Sequence, residues 1–274
     1  MAGPPLLPEL GETDSEGEIA ALYADIRATL GIPFVGLIYR TLAVEPGRLA
    51  RVWSRLRPYL GHPQTWSAAA ELDLGLEAAP AIAPVTGLAE AGFDTRLAAQ
   101  ATATLAAYDQ MNRLNLLGLA VLLSPDRRTS TAASAAGRHP VDAFRWTRED
   151  LLPMADVDLL PAEERDLLVR ISASLLPSRG PILIPSLLRH FARPRVLSLL
   201  WPSIRPAIEG GFVSAVAASL RRQAFALPLP AGVRIERMVE PGVVETCERF
   251  VWATSTMVVT GAMLERALQP RSAA

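Results

Sequence analysis

No lysine occurs anywhere in the 274 residues; all 27 cationic side chains are arginines. That excludes a Schiff-base lysine and the lysine of a phosphate-binding loop together. Cysteine is nearly absent as well. The single Cys247 rules out an intramolecular disulfide and fits a reducing, cytoplasmic setting. Neither sign of charge dominates: the net charge is −1, so no long-range attraction to nucleic acid or to an anionic membrane is expected. Long hydrophobic runs are missing. "NLLGLAVLLS" falls well short of the ~18 apolar residues that a membrane helix needs. The opening "MAGPPLLPELGETDSEGE" has neither the basic nor the apolar region of a secretory signal, so none is expected. His62, His139 and His190 are scattered without metal-ligand spacing, and HExxH, GxSxG, GxGxxG and CxxC do not occur. No metal is expected.

What is present is helical. Half of the residues are hydrophobic, enough for one large core or two closely packed halves. "EGEIAALYADIRATL" places Ile19, Leu22, Tyr23, Ile26 and Leu30 on one stripe at spacings of three and four. Gly31 and Pro33 end it. A short apolar helix, "FVGLIYRTLAVE", precedes Pro46, and the next helix aligns Leu49, Trp53, Leu56 and Leu60. "QTWSAAAELDLGLEAA" reads as a further helix, and a long one runs from about Asp94 to Leu123. Residues 125–160 are small, polar and without periodicity, as in a linker or mobile loop. Alternating β-branched runs are absent. The expected fold class is all-α.

The pattern then starts again. "ISASL" echoes "IRATL", and "RHFARPRVLSLLWPSIRP" echoes "RTLAVEPGRLARVWSRLRP". Arg40 meets Arg189, Trp53 meets Trp201, and Arg57-Pro58 meets Arg205-Pro206. The final helix, "GVVETCERFVWATSTMVVTGAMLERAL", matches the long helix of the first half. We read two pseudo-symmetric helical repeats, 1–124 and 161–274, in one globular unit with a site between them. Two copies are too few for a solenoid but enough to bury two apolar faces against each other.

An asymmetric small molecule needs one site, so residues kept in both copies read as frame. Trp53 and Trp201 are then core. Arg57 and Arg205 complement helix C-termini before a proline stop. Arg40 and Arg189 pair with an acid such as Asp25 or Glu45. Unmatched polar residues are the site candidates. Tyr108, Asn112 and Asn115 share one face of an otherwise apolar helix, where the second copy has Phe250 and Thr254. A buried asparagine needs partners for its amide. His190 is unmatched too, and Cys247 reads as a buried thiol.

"LYADIRATLGIPFVGLIYRTLAVEPGRLARVW", "LAEAGFD" and "YDQMNRLNLL" resemble segments of the group I 2-haloacid (halocarboxylic acid) dehalogenases, in the same order. The resemblance covers most of the chain. It implies an all-α fold of two repeats with the active site between them. It also implies a hydrolase that needs no cofactor. In that family an aspartate activates a water, which an asparagine helps to hold and which attacks the α-carbon directly. Carried over, the water-holding asparagine falls on Asn112, and pocket positions fall on Phe34, Leu37 and Cys247. The aspartate falls on Ile184 by direct count or on Ser186 by a shift of two, and no carboxylate occurs between Asp166 and Glu209. The catalytic candidates are therefore Asn112 and a relocated base, His190 or Asp109. The candidates for substrate binding are Phe34, Leu37, Tyr108, Ile184, Ser186 and Cys247. Expected partners are a small-molecule substrate or ligand and a second copy of the chain in a homodimer, not nucleic acid or membrane. A non-hydrolytic binder of a small apolar ligand and a dimerising scaffold are the alternatives.

Overall fold

The computed structural model of the chain describes residues 5–124, 145–176, 180–236 and 238–269. Among the described residues the regular structure is helical, and β structure is confined to isolated bridges, one of them parallel between Leu6 and Ile182. A first run comprises α1 (Gly17–Leu30), α2 (Leu37–Leu42), α3 (Arg48–Leu60), α4 (Pro63–Ala70) and α5 (Thr95–Leu123). A second comprises α6 (Ala162–Leu175), α7 (Ser186–Phe191), α8 (Val196–Glu209), α9 (Phe212–Ala226) and α10 (Pro241–Leu268). Helix lengths run 14, 6, 13, 8 and 29 residues, then 14, 6, 14, 15 and 28. No helix among the described residues is long and apolar enough to cross a membrane.

The two long helices, α5 and α10, form the central pair. From Leu114 to Leu122 every residue of α5 is buried, as expected of a helix that is apolar all round. Asp94 caps its start by accepting a hydrogen bond from Leu97 N–H at 2.8 Å. Gly118 admits α3: a Cβ there would stand 3.2 Å from both Leu56 and Leu60. The stripe of α1 turns inward, with Tyr23, Ile26 and Leu30 buried.

Several local expectations change. The helix expected over 64–79 stops at Ala70, and only the short turn Leu76–Ala78 follows. Pro58 does not stop α3, which continues to Leu60, and α8 contains both Pro202 and Pro206. The segment read as a linker is docked where it is described. Leu151, Leu152 and Val157 are buried, and Leu152 N–H donates to Thr104 Oγ1 of α5 at 2.9 Å. Residues 125–144 of that segment lie outside the described residues.

Arg57 is held by a side chain rather than by a helix end. Asp25 of α1 accepts from Arg57 Nε at 2.6 Å and from Trp53 Nε1 at 2.7 Å. Burial pushes the Asp25 carboxyl up, but the hydrogen bonds from Arg57 and Trp53 outweigh it and hold it below the usual carboxylate range. A carboxylate with a depressed folded pKa stabilises above its unfolded pKa, and loses that contribution as pH falls through the folded one. The Tm difference between wild type and Asp25→Asn is therefore expected to be larger at pH 7 than at pH 3. An equal difference at both would show that the carboxylate charge contributes nothing.

Candidate active site

Four elements meet around one small, partly open cavity of about 40 Å³, two from each run: α2 and α5, α7 and α10. Gly36 precedes α2 and Pro185 precedes α7, both in extended conformation. Both are six-residue helices, so each presents about one and a half turns to the cavity. Gly36 lets α5 come close there, because a Cβ would stand 2.9 Å from Met111 Sδ and 3.3 Å from Asn115 Nδ2 and the methionine would have to shift. Leu37, Met111, Leu183, Leu187, Phe250 and Met257 supply most of the apolar wall. Tyr108, Asn112, Asn115, Ser186 and Thr254 supply the polar groups. Among the described residues no carboxylate, lysine or arginine lines it. The volume holds a few waters as it stands, and a small organic acid needs the walls to give.

The polar groups are not equally free. Asn115 Oδ1 accepts from Tyr39 O–H at 2.7 Å. Asn112 is 6% exposed and its Nδ2 has no hydrogen-bond partner. A buried polar group left so costs roughly 1–3 kcal/mol unless a water or ligand satisfies it. Ser186 Oγ accepts from Arg40 Nη2 at 2.9 Å. Arg40 Nη2 also pairs with Glu9 at 2.7 Å, and the other oxygen of Glu9 pairs with Arg189 Nη1 at 2.8 Å. The two arginines that match in the sequence echo thus share one carboxylate. It comes from the N-terminal segment, not from Asp25 or Glu45 as expected.

His190 lies behind this wall. Its Nδ1 meets the carbonyl oxygen of Leu152 and its Nε2 meets Tyr108 Oη at 3.1 Å. A carbonyl only accepts, so Nδ1 carries the proton, and Nε2 of the neutral ring accepts from Tyr108. Burial, together with Arg189, Arg193 and Arg40, lowers the His190 pKa to about 4 against the opposing bond to Leu152. Tyr108 is pushed above its usual value, mainly by burial. The tyrosine ring stacks on Phe34 with centroids 4.5 Å apart.

The cavity therefore gathers Leu37, Tyr108, Asn112 and Ser186 of the sequence candidates. Phe34 and His190 stand one layer out, each against Tyr108. Ile184 and Cys247 are buried but do not line the cavity; burial pushes the Cys247 thiol up to about 12. Asp109 belongs to a different place. It chelates Arg113 Nε at 2.8 and 2.9 Å and borders an open cleft of about 900 Å³ between α4, α5 and α10. That cleft is larger, but holds none of the residues gathered around Asn112. His190 is unavailable to a cavity water because both ring nitrogens are taken. Sequence reasoning missed Glu9. The signal was there in the matched pair Arg40 and Arg189, since two arginines in facing elements call for an anion between them. Among the described residues no cluster of three or more metal-ligating side chains occurs.

No family model matches the chain. A curated 2-haloacid dehalogenase, configuration-inverting, of Alcaligenes xylosoxydans xylosoxydans is 42% identical over 55 residues, which is 20% of this chain and 19% of that protein. Solved structures are similar over nearly the whole chain. A D-2-haloacid dehalogenase mutant in complex with D-2-CPA has a TM-score of 0.79 at 21% identity, over 97% of each chain. Another mutant of D-2-haloacid dehalogenase has 0.80 at 19%, again over 97% of each. D-2-haloacid dehalogenase with L-LA has 0.73 at 20%, over 97% of this chain and 96% of the other. The resemblance read in the sequence is thus found again by both comparisons, and the fold is that of these dehalogenases.

Proposed function

We propose that this 2-haloacid-dehalogenase-like chain takes a small organic acid or related molecule into the cavity between its two helical runs. We propose further that it lacks hydrolytic dehalogenation by a carboxylate-activated water. The observation that carries this reading is the unpartnered Asn112 amide in a cavity wall without a carboxylate. A positioned base contributes about 10²–10⁴-fold to attack by water. Ser186 is no substitute at neutral pH, least of all while Arg40 donates to its oxygen. His190 has the chemistry of a base, but its free lone pair points at Tyr108.

The test is halide release from D- and L-2-chloropropionate, with binding of the same acids followed by thermal shift. We expect no halide above the uncatalysed rate, and a stabilising shift that Asn112→Ala abolishes. Ready chloride release that is lost in Asn112→Ala would restore the hydrolase and sink this reading.

A further inference from the structure

On the side of α10 turned away from the cavity, Trp252 is 60% exposed. A single exposed apolar side chain is ordinary, but this one is fixed in place. The Arg221 guanidinium of α9 lies over its ring, 3.5 Å from the centroid, and donates through Nη1 to Ser255 Oγ at 2.9 Å. A cation so placed is attracted to the face of the ring. It covers one face of the indole and leaves the other to solvent. Phe225, itself 37% exposed, continues the apolar surface with Leu123, Ala218 and Val251. Together they form a shallow groove of about 650 Å³ between α9 and α10. The groove holds none of the residues that line the cavity around Asn112.

Charge is divided between the two walls. Arg221 and Arg222 stand on α9, and Glu248 stands on α10, with Glu245 exposed one turn before it. Among the described residues neither Arg222 nor Glu248 takes part in an ion pair. One helix offers cations and its neighbour anions, around a fixed tryptophan, and the chain does not join them itself. Such a surface is complementary to itself. Turned about a two-fold axis, α9 of one copy faces α10 of the other, and Arg222 meets Glu248 twice over. We infer that this groove is the contact between two copies of the chain, with each Trp252 seated in the groove of the partner subunit. A purely acidic or purely basic partner would suit one wall and be repelled by the other. A second copy satisfies both. Tryptophan and arginine are the side chains that dominate contacts of this kind, and an indole held in advance loses little freedom on docking.

The experiment is sedimentation equilibrium of the full chain, as wild type and three variants, with circular dichroism to confirm that each is folded. Wild type is expected to dimerise. Trp252→Ala removes an exposed side chain, so the variant should fold as wild type does while its dissociation constant rises at least about thirtyfold. Arg222→Glu and Glu248→Arg each set like charges against one another at both ends of the contact. Each alone should weaken the dimer about tenfold or more. Mixed in equal parts, the two should pair with each other, because one copy then carries acids on both helices and the other carries bases on both. A contact with any other kind of partner would give no such recovery. Three results would each overturn the inference: a wild type still monomeric at about 100 μM, a dimer that keeps its affinity in Trp252→Ala, or a mixture no tighter than its components. None of these readings depends on ligand binding in the cavity.

Discussion

Glu9→Ala is expected to destabilise the fold by about 3 kcal/mol, the low end of the cost of breaking a buried ion pair. Glu9 is 28% exposed, so solvent screens part of the interaction. Its partners are less forgiving. The Arg40 side chain is 5% exposed and that of Arg189 is 14% exposed. Without Glu9, two like charges would face each other across the junction of α2 and α7, and Arg40 already has its Nε buried without a partner. Arg40 would keep only Ser186, and Arg189 only the carbonyl oxygen of Ala155, 3.0 Å from its Nε. The loss is electrostatic rather than steric, so Arg40→Met should be milder in the Glu9→Ala background than in wild type. Urea unfolding of the two single variants and the double variant gives that coupling directly. A cost under about 1 kcal/mol for Glu9→Ala would mean that water reaches the arginines and that the shared carboxylate is no clamp.

The same clamp shows where sequence reading stops. Periodicity found α5 and α10 and the inward stripe of α1, because burial of a helix face leaves a local pattern. It could also mark Asn112 and Tyr108, since polar residues on an apolar face are conspicuous. What it could not give was the partner of Arg40. Glu9 is 31 positions away in sequence and reaches Arg40 because Leu7 N–H bonds to Ile182 O, at 2.9 Å, and Leu10 N–H to Arg40 O, at 3.1 Å. A chain crossing of that kind leaves no periodic trace. Nor could spacing show that His190 faces Tyr108 rather than the cavity. That depends on where the carbonyl of Leu152 lies, in a stretch that reads as structureless.

The matched tryptophans give the second large effect. Trp53→Ala is expected to cost about 3–5 kcal/mol, and Trp201→Ala nearer 1 kcal/mol. Both were expected to be core, yet Trp53 is 2% exposed whereas Trp201 is only half-buried and packs at the core's edge. The difference can be traced to the residues around them. Trp53 donates its Nε1–H to Asp25 and meets Tyr39 edge-on at 5.6 Å. In the sequence echo, Asp25 is matched by Arg170 and Tyr39 by Leu188. An arginine cannot accept an indole N–H, so the second run of helices offers Trp201 no such partner there. Tyr39 in turn holds Asn115 at the cavity wall. Trp53→Ala should therefore loosen the site as well as the core, and weaken ligand binding at temperatures where the variant is still folded. Trp201→Ala should leave binding unchanged. Chemical denaturation with parallel titration of 2-chloropropionate separates the two. Equal costs for both variants would mean that the two tryptophans carry equal weight in the frame, and that the asymmetry around Trp53 has no energetic consequence.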